Sequence, residues 1–157
     1  MNATISSPTI RPAAMADLPT LLEFEQGVIA AERPYDPTLR EGLIHYYDLE
    51  ELILSPDALL VVAQAGDQIV GSGYARIRDA KPYLRHAHEA YLGFMYVHPD
   101  WRGKGINGKI VEALKEWAVS KGLKEMRLEV YHNNLPAISA YEKAGFTRLL
   151  MEMRMPL

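Results

Sequence analysis

The sequence predicts an α/β fold of the α+β kind, a mixed sheet with helices packed on its faces. Two observations carry this reading. Apolar runs of strand length alternate with amphipathic helical stretches in the order β-α-α-β-β-β-α-β-α-β. The aromatic run Tyr91 to Val97 passes through a glycine-rich turn directly into a helix, the junction typical of folds in which strands feed helices. With 157 residues, no internal repeat and no divisive linker, residues 1–157 are expected to form a single domain.

Each element has a local reason. Thr9 to Pro12 reads as a short strand, and Asp17 as the N-cap of a helix with Pro19 in its first turn, running towards Glu32. Asp36-Pro37 starts a second helix, and Asp48 with Glu51 resembles a capping box for a further helical turn. Leu59–Ala65 and Gln68–Arg78 form two strands joined at Gly66-Asp67, a hairpin signal. A polar loop then leads to a strand from Glu89 to Val97. The spacing of Ile106, Ile110, Val111, Leu114, Trp117 and Ala118 predicts a helix over Lys104–Lys121, closed by Gly122. Met126–Tyr131 reads as a strand, Pro136–Ala144 as a helix ended by Gly145, and Phe146–Met155 as a final strand.

Composition narrows the function. A hydrophobic fraction of 48% with 24% charged residues is ordinary for a soluble globular protein. No apolar run spans a bilayer, and the polar stretch Met1–Ile10 lacks a charged-then-apolar leader, so a cytoplasmic protein without membrane attachment is expected. There are no cysteines, which excludes disulfides and a thiol nucleophile. The histidines show no metal-ligand spacing, and no metal is expected. Net charge is −3 but unevenly spread. Between Glu23 and Glu51 eight acids face two arginines, whereas from Arg102 to Arg154 ten basic residues face six acids. Most of these charges suit solvated helix faces. The asymmetry also fits an anionic ligand on the C-terminal half and a cationic one near the N-terminal half. No basic run is dense enough for nucleic acid.

The stretch Val97 to Gly108, V-H-P-D-W-R-G-K-G-I-N-G, is built like a phosphate cradle. Glycines let backbone N–H groups converge, and the first turn of the following helix offers unsatisfied amides at the positive end of its dipole. Gly103 to Lys109 satisfies most of the nucleotide-binding pattern G-x-x-x-x-G-K-S/T, but Ile110 stands where a hydroxyl would coordinate magnesium. No later strand ends in an aspartate for the second magnesium contact.

A second reading covers more of the chain. Val97-x-Pro99-x-x-Arg102-Gly103-x-Gly105-Ile106 resembles motif A of the GCN5-related N-acetyltransferase (GNAT) superfamily, whose pattern is Arg/Gln-x-x-Gly-x-Gly/Ala. Asn107 departs from the small residue usual at the last position. Asn134-x-x-Ala137-x-x-x-Tyr141-x-x-x-Gly145-Phe146 resembles the family's late helix signature, in the expected order. The resemblance runs from about Thr9 to the end of the sequence. It implies a mixed, mostly antiparallel sheet of six to seven strands with splayed central strands, and acetyl transfer from acetyl-CoA to a primary amine by direct attack in a ternary complex.

The resemblance also implies roles. Pantetheine would pair with backbone groups of Met95, Tyr96 and Val97, and the amides of Gly103, Lys104, Gly105, Ile106, Asn107 and Gly108 would hold the pyrophosphate, with Arg102 and Lys104 adding positive charge. A backbone N–H near Tyr96 would stabilise the oxyanion. Tyr141 matches the general acid that protonates the departing thiolate, a role its ordinary pKa of about 10 suits. Asn134 matches a cofactor-contacting position, and helix capping explains it equally well. Glu89 and Glu129 are the two candidates for the base, acting directly or through water. The acceptor region would draw on Glu25, Glu32, Tyr35, Tyr46, Tyr47, Asp48 and Tyr83, whose acids and aromatic rings suit a cationic amine. A small amine is the first expectation and a protein or peptide amine the second. A CoA-binding regulatory module without turnover is the alternative of another class. A homodimer is compatible with the resemblance.

Overall fold

The computed structural model describes residues 7–157; Met1–Ser6, part of the polar N-terminal stretch, lie outside the described residues. Five strands form one sheet in sequential order: β1 (Thr9–Pro12), β2 (Ala58–Ala65), β3 (Gln68–Asp79), β4 (His88–Val97) and β5 (Met126–Leu128). The first four are antiparallel to their neighbours, and β5 joins β4 in parallel. Four helices complete the fold: α1 (Leu18–Glu32), α2 (Leu49–Leu54), α3 (Ile106–Ser120) and α4 (Leu135–Ala144). The class is the predicted one, but among the described residues the sheet has five strands where six to seven are expected, because the segment after α4 is not paired into it.

Two apolar layers explain why the helices divide between the faces. On one face Leu21, Phe24 and Val28 of α1 and Leu49 and Leu52 of α2 pack on Leu60, Val62, Tyr74 and Phe94 of the sheet. On the other, Ile106, Ile110, Leu114 and Ala118 of α3 pack on Val61, Ala63, Ala75, Ala90 and Leu92. Alternate strand residues thus serve opposite cores, as strand periodicity requires.

Two expectations fail for physical reasons. No helix starts at Asp36-Pro37: the Asp36 carboxylate accepts hydrogen bonds from the backbone N–H of Thr38 (2.8 Å) and from its hydroxyl, closing a tight turn instead. Residues 37–48 remain non-helical until Asp48 accepts from Glu51 N–H and caps α2. The strand expected over Phe146–Met155 is also not formed: among the described residues that segment bonds to no neighbouring strand.

The feature that positions the site is the parting of β4 from β5. Their register covers Ala90 to Leu92 against Met126 to Leu128; β4 then continues to Val97 paired with β3 only. A bulge occurs at the same point, where Gly93 pairs with Tyr74 and Tyr96 with Ser72, so that Phe94 and Met95 together oppose Gly73. Phe94 sits at φ 55°, the single non-glycine residue with positive φ among the described residues. Such a conformation costs about 1–3 kcal/mol and persists only where the surroundings fix it. Here Phe94 is 2% exposed, its ring lies 4.9 Å from that of Tyr47, and its carbonyl accepts from the buried Ser72 hydroxyl at 3.1 Å. Phe94→Ala is expected to destabilise the protein by about 3–5 kcal/mol, measured by urea unfolding, because it empties the packing that holds the bulge.

Candidate active site

At the end of β4 the chain turns through Pro99–Trp101 and reaches Gly103 (φ 74°) and Gly105 (φ 78°), both left-handed, before α3 begins. Gly105 is the N-cap and has no side chain to satisfy the first amides of α3. A side chain at Gly103, Gly105 or Gly108 would meet nothing within 4 Å, so the turn is not packed against the rest of the chain at these positions. Those free N–H groups and the helix dipole suit a pyrophosphate. Asn107 lies inside the first turn of α3 with ordinary helical backbone, so its departure from the family pattern leaves the turn intact. Arg102 folds back, its Nε donating to the Val97 carbonyl at 3.1 Å, and the Lys104 ammonium stands 4.7 Å over the Trp101 ring.

The unpaired edge of β4 leads into this cradle. His98 N–H donates to Val70 O at 2.8 Å, on the β3 side. By strand alternation the backbone of Tyr96 also faces β3, whereas Met95 and Val97 present theirs to the gap. The open edge is therefore Met95 and Val97; Tyr96 contributes its ring, packed 4.5 Å from Phe24 and against Gly27 of α1.

The wall opposite is acidic and aromatic. Beyond β5, Tyr131 donates to Asp36 Oδ2 at 3.0 Å and stacks on Tyr35 with ring centroids 5.9 Å apart. Thr38, first through its hydroxyl and then through its N–H, holds the Asp36 carboxyl below its ordinary range, with smaller help from Tyr131 and the Arg154 charge. Burial raises the Glu32 carboxyl, opposed by Tyr46 and reinforced by the negative Asp36. The Tyr46 hydroxyl is buried without a well-formed hydrogen bond, and burial followed by Glu32 raises it well above the usual phenol range. Tyr91 is pushed up to about 12 by burial first and by the charge of Glu129 second. Half-buried Tyr141 on α4 is pushed up to about 12 by burial and then by Glu32. Glu32, Asp36 and Glu129 thus act on one cluster of tyrosines.

The structure brings together Glu32, Tyr35, Tyr46, Glu129 and Tyr141 and adds Asp36, Tyr91 and Tyr131. Other expectations are corrected. Glu25 is 0% exposed: one carboxylate oxygen is 2.6 Å from His45 Nδ1, and the other accepts from Tyr46 and Tyr47 N–H at 3.0 and 2.9 Å. It anchors the loop that presents Tyr46 and is closed to a substrate. Asp48 is taken up by capping α2. Tyr83 is 79% exposed in the loop before β4 and stacks on no ring of the cluster. Asn134 caps α4, accepting from Ala137 N–H at 3.4 Å.

Glu89 is the main correction. It is buried, and its oxygens meet Arg78 Nη2 at 2.7 Å, His86 Nε2 at 2.8 Å and Arg127 Nε at 3.6 Å. Burial alone would raise its carboxyl, but the hydrogen bonds from His86 and Arg78 and the charges of Arg127 and Arg78 outweigh it and hold the group below its ordinary range. A fully engaged, acid-strengthened carboxylate is a poor proton acceptor and a good staple. Because the folded-state value is depressed, its stabilisation is present above the unfolded carboxylate range and is lost as pH falls through the folded value. Glu89→Gln is expected to cost about 1–3 kcal/mol of stability at neutral pH, because the partly exposed Arg78, Arg127 and His86 lose the buried carboxylate that they share. The gap from wild type should shrink as the pH of the unfolding measurement is lowered below about 4.

The description "Acetyltransferase (GNAT) family" belongs to the family model that matches residues 25–146. An aminoglycoside N(6')-acetyltransferase type 1 of Stenotrophomonas maltophilia is 27% identical over 157 residues, covering 97% of this chain and 95% of the relative. An L-methionine sulfoximine/L-methionine sulfone acetyltransferase of Pseudomonas aeruginosa is 29% identical over 150 residues, covering 89% and 80%. Among solved structures, a mutant of the BH1408 protein from Bacillus halodurans superposes with a TM-score of 0.86 at 18% identity, covering 95% of this chain and 99% of that one. A predicted acetyltransferase from Clostridium acetobutylicum, solved with acetyl-CoA, gives 0.72 at 18% identity, covering 95% and 96%. The chain belongs to the acetyltransferase (GNAT) family. It is an N-acetyltransferase, and the group it transfers goes to an amine.

Proposed function

We propose that the chain acts as a single cytoplasmic catalytic domain that transfers the acetyl group of acetyl-CoA to a small cationic amine, by direct attack in a ternary complex. The observation that carries this reading is the union, at the parting of β4 and β5, of an open amide edge with an acid-and-tyrosine wall. The amides of Gly103 to Gly108 fit the pyrophosphate, and the Met95 backbone with the Val97 N–H fits an extended amide-bearing arm, the Val97 carbonyl being taken by Arg102. Acetyl-CoA supplies the activated thioester; the remaining work falls to side chains.

Glu32, Asp36 and Glu129 attract the ammonium, and Tyr35, Tyr46 and Tyr131 offer ring faces to it. Glu32 is the desolvated acid and holds the cation. Exposed Glu129 accepts its proton, directly or through water, and passes it to solvent. The Met95 amide, on the gap side, stabilises negative charge developing on the acetyl oxygen, in place of the Tyr96 amide. Tyr141 stays protonated through the working pH range and donates its proton to the departing thiolate. The small-molecule acceptors named for the two relatives support a small amine over a peptide.

A panel of aminoglycosides, amino-acid derivatives and polyamines, assayed with acetyl-CoA by thiol release, is expected to contain the acceptor; turnover on peptides alone would contradict the reading. On that acceptor, Glu32→Gln should chiefly raise KM, whereas Glu129→Gln should chiefly lower kcat. Tyr141→Phe is expected to lower kcat about 10²–10³-fold with little change in KM. With Tyr141 pushed up to about 12, wild-type kcat should show no descending limb below roughly pH 10.

A further inference from the structure

We propose that Tyr74 of β3 is a further catalytic residue: its phenol oxygen accepts a hydrogen bond from the acceptor nitrogen above Gly93 and turns that nitrogen towards the acetyl carbonyl. This role rests on the acetyl-transfer reading above and adds to it a group on the β3 side of the gap.

The register places the phenol. Tyr74 is paired with Gly93, which is the first residue of β4 beyond the β5 register and the last before the bulge. Residues opposite one another in a sheet project on the same face. Here that face is the one covered by α1 and α2, because Tyr74 packs in the layer of Leu60, Val62 and Phe94. Position 93 has no side chain, and the phenol takes the space. A Cβ at Gly93 would stand 2.5 Å from the Tyr74 hydroxyl oxygen and 2.6 Å from Cζ. The ring thus reaches across to β4 and sets its hydroxyl over Gly93, where the strands part. It is held there by Tyr47, whose ring meets it edge-on with centroids 5.7 Å apart and whose amide donates to buried Glu25 at 2.9 Å.

Packing accounts for the ring and leaves the hydroxyl unexplained. Among the described residues the Tyr74 hydroxyl forms no hydrogen bond, and the residue keeps 9% exposure, so it is not sealed in as the Tyr46 hydroxyl is. A nearly enclosed polar group without a protein partner is one for a ligand to satisfy. Its state suits a cation. Burial raises the phenol above its ordinary range, opposed by Arg76 and Arg78 and reinforced by Glu129. Tyr74 therefore stays neutral, with oxygen lone pairs free to accept.

The charge of Glu129 acts on both Tyr74 and Tyr91, which brings the base to the same gap from the β5 side. A primary ammonium between the two gives one N–H to Glu129, which takes that proton, and one to Tyr74. The amine left behind has a free lone pair and is still oriented by its N–H to the phenol. The Met95 amide, the donor to the acetyl oxygen, lies two residues further along β4. Carbonyl oxygen and attacking nitrogen thus find their partners at successive positions of one strand.

Tyr74→Phe keeps the ring over Gly93 and removes only the hydroxyl, so steady-state kinetics of this variant, with acetyl-CoA and the best acceptor of the amine panel, test the role. Its kcat/KM for the acceptor is expected to fall about 10–100-fold, the loss of one hydrogen bond to a charged group. The KM for acetyl-CoA and the melting temperature should stay at wild-type values, because the hydroxyl bonds nothing in the chain. An unchanged kcat/KM for the acceptor, a change confined to the KM for acetyl-CoA, or a loss matched by a fall in melting temperature overturns the proposal. Glu129→Gln, assayed alongside, separates the two readings. A low kcat in Glu129→Gln beside an unimpaired Tyr74→Phe leaves acetyl transfer standing and removes Tyr74 from it; a panel in which no amine is acetylated overturns both.

Discussion

The site depends on one constraint: β4 must leave β5 after Leu92 and still be held straight enough to reach the cradle. Two strands that remained paired would consume the amides of Met95 and Val97 and close the gap. The separation is stabilised from the β3 side. There a bulge absorbs one residue, Ser72 ties down the Phe94 carbonyl, and Tyr47 packs on the Phe94 ring. A strained φ at a bulky, fully buried residue is sustained only by such over-determination. Phe94 therefore links the core under α1 and α2 to the geometry of the cradle.

Charge is separated along the same strand. At its closed end Glu89 is neutralised by Arg78, His86 and Arg127, a local staple across β3, β4 and β5. Beyond the open end, Glu32, Asp36 and Glu129 have no comparable ring of cations and instead raise the phenols around them. The first arrangement stiffens the sheet where it is continuous. The second leaves negative potential where the sheet divides, which favours a positively charged acceptor and keeps Tyr141 protonated. Glu25 links the two regions structurally, because its buried carboxylate gathers His45, Tyr46 and Tyr47 and so fixes the loop that faces Glu32.

Much of this was legible in the residues. The order of elements, the Gly66-Asp67 hairpin, the cradle and the caps of α3 and α4 follow from local chemistry, and local chemistry is what a sequence displays. The cradle glycines Gly103 and Gly105 take the left-handed backbone that only glycine adopts freely. Burial was not legible. Glu25 and Glu89 look like any exposed acid in sequence, and only tertiary packing surrounds them with donors. Tyr131 could have been read, since it lies two residues from Glu129 within the expected strand Met126–Tyr131, although β5 itself ends at Leu128. Asp36 was concealed by the helix-start signal of Asp36-Pro37, whose side chain closes a turn instead. The strand expected over Phe146–Met155 does not form in the structure, because a strand needs a partner and a local sequence pattern does not show where the partner is.

The central claim is that the edge freed by the parting of β4 and β5, together with the first turn of α3, holds the acetyl donor. Amide hydrogen exchange, read residue by residue with and without acetyl-CoA, tests it most directly. Protection should appear at Met95, Val97 and the amides from Gly103 to Gly108, while Tyr96, already committed to β3, should change little. Equal exchange with and without the ligand at Met95 and Val97, or new protection confined to other elements, would contradict the account.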